Sequence, residues 1–205
     1  MKYVDELVKR YPALADIKSE VEGAVLALVD TYRKGGKVLI AGNGGSAADA
    51  EHISGELLKG FITKRTPDAK ELSLLSDALG DDASLLQRGV PAIPLSSLTS
   101  SLSAFANDVS PSLVYAQLVY ALGKSNDTLI CLSTSGNSEN VVLAARVARS
   151  LGITTVSLTG KSGGKLLEIC DVAIKAPEIE TFKVQEMHLP IYHAICADVE
   201  DILFT

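Results

Sequence analysis

Lys37-Val38-Leu39-Ile40-Ala41-Gly42-Asn43-Gly44-Gly45-Ser46 decides the fold of this chain. An apolar run ends directly in a loop of small residues, and a helical pattern from Ala47 to about Gly60 follows at once. A strand without polar alternation is one covered on both faces, as in a parallel sheet. Four more runs of this kind follow, at Ala92–Leu95, Thr128–Ser133, Thr154–Thr159 and Val172–Lys175. Helical patterns at Leu98–Leu122, Asn140–Leu151 and Gly164–Ile169 lie between them. Strand and helix in alternation predict a doubly wound α/β fold with ligand sites at the carboxyl ends of the strands.

Working outward, Leu14, Ile17, Val21, Ala24, Val25, Leu28 and Tyr32 recur at helical spacing and predict an amphipathic helix that ends at Gly35-Gly36. Pro12 separates it from a shorter helix over Val4–Tyr11. Such a stripe packs on its own sheet or on a partner helix; because it exceeds what one face of a small sheet needs, a mixture of both is expected, with part of it against another subunit. At the other end, Thr181–Leu203 reads as a long helix with Pro190 inside, where a kink or irregular turn is expected. Between Thr66 and Gln87 lies an acidic insertion of one or two short helices. Nothing divides the 205 residues, so a single domain over 1–205 is expected.

A formal charge of −6 and the lack of a Lys/Arg block exclude a surface for the nucleic-acid backbone. No apolar run reaches the roughly 20 residues of a membrane span, and Met1–Glu6 holds no signal-peptide core. A cytoplasmic location without membrane contact is expected. Cys131, Cys170 and Cys196 lie far apart without a C-x-x-C pair and are expected to be buried, reduced thiols.

Two loops offer phosphate chemistry. Gly42–Ser46, with Asn43, Gly44 and Ser46, lets backbone N–H groups approach a ligand at a helix N-terminus. It could pass for a dinucleotide fingerprint, but the second strand ends Leu95-Ser96-Ser97 without the acidic residue that holds a ribose, so no nucleotide cofactor is expected. Ser133-Thr134-Ser135-Gly136-Asn137-Ser138 also opens a helix. The hydroxyls of Ser133, Thr134, Ser135 and Ser138 exceed the needs of a helix cap and suit the oxygens of a phosphate monoester. Thr159–Lys165 lacks the G-x-x-x-x-G-K-[ST] order and reads as a structural turn.

His52 and Glu56 stand four apart on one helix face. Gln185 and His193, eight apart, differ by about 80° around a helix and can converge on one site, whereas His188 points elsewhere. These four side chains are all potential ligands for a divalent metal, Gln being a rare one. The His–Glu pair alone equally fits an ordinary helix-surface contact.

Ala41-Gly42-Asn43-Gly44-Gly45-Ser46-Ala47-Ala48-Asp49-Ala50-Glu51-His52, Ser133–Ser138, Leu158–Lys161 and Val184–His188, taken in order, resemble the signatures of the phosphoheptose isomerase branch of the sugar isomerase (SIS) domain family. The resemblance covers nearly all of the chain outside Thr66–Gln87. It implies a flavodoxin-like, five-stranded parallel sheet flanked by helices, a homotetramer, and isomerisation of sedoheptulose 7-phosphate to a manno-heptose 7-phosphate, with zinc in several members. By position it implies a metal and acid/base group of His52, Glu56, Gln185 and His193, with Glu56 and His193 catalytic. Ser133, Thr134, Ser135 and Ser138 match the phosphate cradle, and Asn43 and Ser46 the loop facing the sugar. Leu98 and Phe182 stand where the family pattern has aspartates. The alternative within the family is a non-catalytic sugar-phosphate-binding regulator, and that type lacks the glutamate and final histidine present here as Glu56 and His193.

Overall fold

The apolar runs become strands. The computed structural model describes residues 1–205 and places β1 at Val38–Gly42, β2 at Ala92–Pro94, β3 at Thr128–Leu132, β4 at Thr154–Thr159 and β5 at Val172–Lys175. All pairs are parallel, in the order β2-β1-β3-β4-β5. This is the flavodoxin-like order, whose direction of winding reverses between β1 and β3. Pro94 ends β2 on the sheet edge, where a missing N–H is tolerated.

Period-two alternation divides each strand between two cores. Val38, Ile40, Ile130, Leu132, Val156, Leu158 and Ile174 join a buried cluster of 27 residues, supplied also by α1 (Lys2–Arg10), α2 (Lys18–Arg33), α3 (Gly45–Leu58) and α9 (Thr181–Phe204). Leu39, Ala41, Leu129 and Cys131 face the other way into a cluster of 16 with α6 (Val114–Leu122) and α7 (Glu139–Ser150). The remaining helices are α4 (Ala69–Leu79), α5 (Thr99–Asp108) and the single turn α8 (Leu166–Ile169).

Several expectations need correction. The first half-turns of the long N-terminal pattern, Pro12–Ile17, form a 3₁₀ helix, and α2 begins only at Lys18. Its stripe holds no surplus: Val21, Ala24, Val25 and Leu28 are fully buried inside the chain, where α2 packs on α9 and β5. The predicted Leu98–Leu122 helix divides at Pro111, because Ser110 before it takes an extended conformation. α9 runs as one helix through Pro190. Cys131 and Cys196 are buried free thiols, but Cys170 is only half-buried. The acidic segment does form a helix, α4, started by a capping box between Asp68 and Glu71, and none of its residues is buried.

Two carboxylates near the end of α9 fasten distant segments. Asp198 accepts hydrogen bonds from the backbone N–H groups of Tyr3 (3.1 Å) and Val4 (2.8 Å), two donors at the start of α1 without helical partners. Glu200, 1% exposed, accepts from the N–H groups of Phe61 (2.8 Å), Ile62 (2.8 Å) and Thr63 (3.0 Å) and from Arg65 Nε (2.7 Å). Burial alone would raise the pKa of this carboxyl, but those donors together hold it below its usual value. Arg65, equally buried, donates onward to the carbonyls of Leu57 (2.6 Å) and Glu56 (2.9 Å) and so closes the last turn of α3.

Glu200→Gln should destabilise the protein by about 3–5 kcal/mol, since it leaves the Arg65 guanidinium buried without a counter-charge. Lys34→Ala, at the exposed Lys34–Asp30 pair (2.6 Å), should change stability by less than about 1 kcal/mol. Urea unfolding of both variants measures the contrast, and equal midpoints would contradict it.

Candidate active site

Because winding reverses at β1, the helices after β1 and β3 leave toward opposite faces and their loops part, opening a crevice. A cavity of about 330 Å³ lies there, lined by Asn43, Gly44, Gly45 and Ser46 from the first loop, Leu132, Ser133, Thr134 and Ser138 from the second, and Thr181 and Gln185 from α9. Seven of the sequence-predicted residues therefore line one wall-to-wall space. Gly45 lies close under Gln185: a Cβ there would stand 2.6 Å from Gln185 Nε2 and push that amide aside. The two loops are tied by reciprocal amide bonds between Asn43 and Asn140, at 2.9 and 3.0 Å.

The hydroxyls of the second loop are not equivalent. Ser133 Oγ and Ser138 Oγ stand 2.9 Å apart at the cavity, close enough to act on one anionic group. Ser135 faces away into a neighbouring hollow with Asn137, Gly160 and Lys161, and its hydroxyl accepts the Asn137 N–H at 3.1 Å. Gly136 makes this turn feasible: its φ is +67°, and a Cβ there would collide with the Gly163 carbonyl.

A second group lies between α3 and α9. His52, Glu56 and His193 bring one ligand-capable atom each to within 4.8 Å of one another. His52 Nε2 is 3.2 Å from Glu56 Oε1 and 3.4 Å from His193 Nε2. Three Lewis-basic atoms converge, so a shared proton or a cation must separate their lone pairs. Glu56 Oε2 is buried without a hydrogen-bond partner, with Lys59 Nζ no nearer than 3.6 Å. This donor set suits a borderline cation such as Zn²⁺. The fourth expected ligand, Gln185, has its amide against Gly45 on the cavity side.

Burial, helped by the nearby His52, lowers the pKa of His193, against the opposing pull of Glu56. The Phe61 ring packs on His193 with centroids 5.5 Å apart, so the loop fastened by Glu200 forms part of the wall. Beneath His52 lies Tyr192, whose hydroxyl is 3.0 Å from His52 Nδ1 and donates to Asp49 Oδ1 at 3.3 Å. Neither Asp49 nor Tyr192 was singled out in the sequence. Asp49 carried a signal nonetheless, standing three residues before His52 on the same helix face. Leu98 packs partly buried against the smaller core, and Phe182, beside the cavity residue Thr181, is 56% exposed.

His188 stands apart, as expected. It is fully buried, its Nε2 donates to the Thr159 carbonyl at 3.3 Å, and its Nδ1 has no partner.

A profile of the SIS domain matches residues 2–91 and 90–160. A phosphoheptose isomerase of Aliarcobacter butzleri is 39% identical over 187 residues, which are 91% of this chain and 87% of that protein. One from Rhodospirillum rubrum is 38% identical over 192 residues, covering 94% and 87%. Among solved structures, phosphoheptose isomerase GmhA from Neisseria gonorrhoeae superposes with a TM-score of 0.76 at 29% identity, covering 96% of this chain and 94% of its own. No helix of the chain is long and apolar enough to cross a membrane.

Burial holds the His188 pKa down at about 4, below the ordinary value of 6.5. The unfolded chain therefore binds this proton first, and the group's contribution to stability, complete above about pH 6.5, falls by about 1.4 kcal/mol per pH unit toward pH 4. His188→Gln should remove that component of the pH dependence. Denaturant midpoints from pH 7 to pH 4 test it, and parallel curves for the two proteins would refute it.

Proposed function

Because the chain belongs to the SIS domain family, within its phosphoheptose isomerase branch, we propose that it interconverts sedoheptulose 7-phosphate and D-glycero-D-manno-heptose 7-phosphate through an enediolate. The observation that carries this reading is the meeting of Glu56, His52 and His193 beside a hydroxyl-lined crevice. The regulator alternative is not favoured: the relatives are named as isomerases, and Glu56 and His193 are both present.

In this proposal the phosphate rests against Ser133, Thr134 and Ser138 and the free N–H groups that open α7, with Asn43, Gly44, Ser46 and Gln185 along the sugar. Ser135 shapes the loop through its bond to the Asn137 N–H and contributes less to the phosphate. Glu56 takes the proton from the carbon beside the carbonyl, the C–H pair becomes the enediolate double bond, and the proton returns to the neighbouring carbon. His193, poised toward its neutral form by burial, opens the sugar ring and moves protons at oxygen. A divalent metal, in our reading zinc, would be held by His52, Glu56 and His193 with Gln185 as the fourth ligand, and would supply Lewis-acid stabilisation of the enediolate charge. Glu56 has two oxygens for these duties, and Oε2 is the one without a hydrogen-bonded partner.

We further assign the chain to the cytoplasm, as one SIS domain over residues 1–205 with 66–87 inserted, working as a homotetramer. Exposed apolar side chains that such association could cover include Val109, Leu113 and Tyr120 around α5 and α6 and Leu26 on α2.

Glu56→Gln should keep the fold and the binding of the sugar phosphate, lose at least about 10²-fold in isomerisation, and lose exchange of solvent deuterium into the sugar. Wild-type protein that binds the heptose phosphate but neither isomerises it nor exchanges its carbon-bound proton, with Zn²⁺ supplied, would refute the enzyme reading.

Ser138→Ala should weaken sugar-phosphate binding by about 1–2 kcal/mol, the value of a hydrogen bond to a charged group. Ser135→Ala should weaken it less. Calorimetry giving the reverse order would move the phosphate to the Lys161 side of the loop.

A further inference from the structure

We propose that Asp49 and Tyr192 are positioning residues that fix His52 in the tautomer with its proton on Nδ1, leaving the Nε2 lone pair directed at Glu56 and His193. The inference builds on the proposed role of His52 as a ligand, and the geometry beneath the ring carries it.

Tyr192 is 2% exposed on α9, and its ring meets that of His52 edge-on, with centroids 5.4 Å apart at 73°. Its oxygen lies between two groups, Asp49 Oδ1 at 3.3 Å and His52 Nδ1 at 3.0 Å. A phenol has one proton to give, so the two contacts cannot both be donated by Tyr192. A carboxylate only accepts. Asp49 Oδ2 is buried without any partner, so the phenol is the sole side-chain donor to this carboxylate. Giving the phenol proton to His52 would leave the half-buried charge of Asp49 without a donor, the costlier arrangement. The proton therefore goes to Asp49, and the Tyr192 oxygen accepts from Nδ1–H of His52.

The chain of bonds Nδ1–H to phenol oxygen, phenol O–H to carboxylate, does for His52 what a direct carboxylate does for many metal-bound histidines. Because α3 carries Asp49 and His52 and α9 carries Tyr192 and His193, it also sets the orientation of one helix's ligands against the other's. A phenylalanine at 192 would fill the same volume and pack the same way but could not pass the hydrogen bond on.

The experiment is long-range ¹H–¹⁵N correlation of the histidine rings in the full chain stripped of metal, for wild type, Tyr192→Phe and Asp49→Asn. In the wild type His52 should carry a proton on Nδ1. In Tyr192→Phe that preference should be lost, with a population protonated on Nε2 alone. Asp49→Asn, whose amide can donate to the phenol oxygen, should release the phenol proton toward Nδ1 and move the ring in the same direction, which keeps the test open if Tyr192→Phe folds poorly. Competition against a chromophoric chelator should show zinc held about 10–100-fold less tightly by Tyr192→Phe. In the zinc-loaded enzyme kcat should fall while KM for the sugar phosphate stays within about twofold, since the hydroxyl loop is untouched. A wild-type His52 with no proton on Nδ1, or a tautomer unchanged in both variants, would overturn the proposal. A wild type that shows the Nδ1 proton yet binds no zinc would refute the metal reading and leave the tautomer assignment standing.

Discussion

The arrangement depends on one topological constraint, the reversal of winding at β1. A crossover between parallel strands is right-handed, so a chain that first moves from β1 to β2 and then returns past β1 to β3 must send α3 to one face of the sheet and α7 to the other. The loops that begin these helices are pulled apart at the carboxyl edge, and nothing in the sheet can fill the gap between them. Asn43 and Asn140 bridge it with two amide bonds, and the Ser133 and Ser138 hydroxyls face into it. The cavity is thus a product of strand order, and the small and hydroxylic residues at its edge give it polar groups suited to an anion.

The second constraint is the position of α9 across this edge. It belongs to the larger core through Ile191, Tyr192, Ile195 and Val199, and from that buried face it turns Gln185 toward the cavity and His193 toward α3. Its later residues Asp198 and Glu200 hold the start of α1 and the loop after α3. The loop after α3 returns the contact by packing Phe61 on His193. Positional precision at the His52–Glu56–His193 group therefore comes from polar anchors on both helices as well as from packing.

Most of this was legible in the sequence, for reasons that are local. Strands buried on both faces leave unbroken apolar runs, and the glycine or serine at the ends of β1, β3 and β4 marks where those runs stop. The loops Gly42–Ser46 and Ser133–Ser138 were recognisable because chemistry near a helix N-terminus uses small and hydroxylic residues in direct succession. What was not legible depends on distance along the chain. Tyr192 reads as one more apolar position of a buried helix, and only the packing of α9 on α3 brings its hydroxyl to His52. Arg65 and Glu200 look like surface charges, since no local pattern announces an ion pair 135 residues apart. The stripe of α2 suggested a partner subunit because a sequence cannot show that α9 is already there. Ser135 looked like its neighbours, and the turn at Gly136 alone separates it from them.

The bonds of α9 also govern the order of events when the chain folds. The contact from Val4 to Asp198 spans 194 residues, and that from Phe61 to Glu200 spans 139. Closing such loops costs entropy before any contact repays it, and a parallel sheet adds further non-local pairings. The strands, α3 and the two glycine- and serine-rich loops can be synthesised and begin to associate while α9 is still inside the ribosome. His52 and Glu56 then face solvent with no histidine opposite them. Assembly of the His52–Glu56–His193 group consequently follows that of the sheet, and a nascent or clipped chain without α9 would lose His193, the Glu200 anchor and the cap on α1 together.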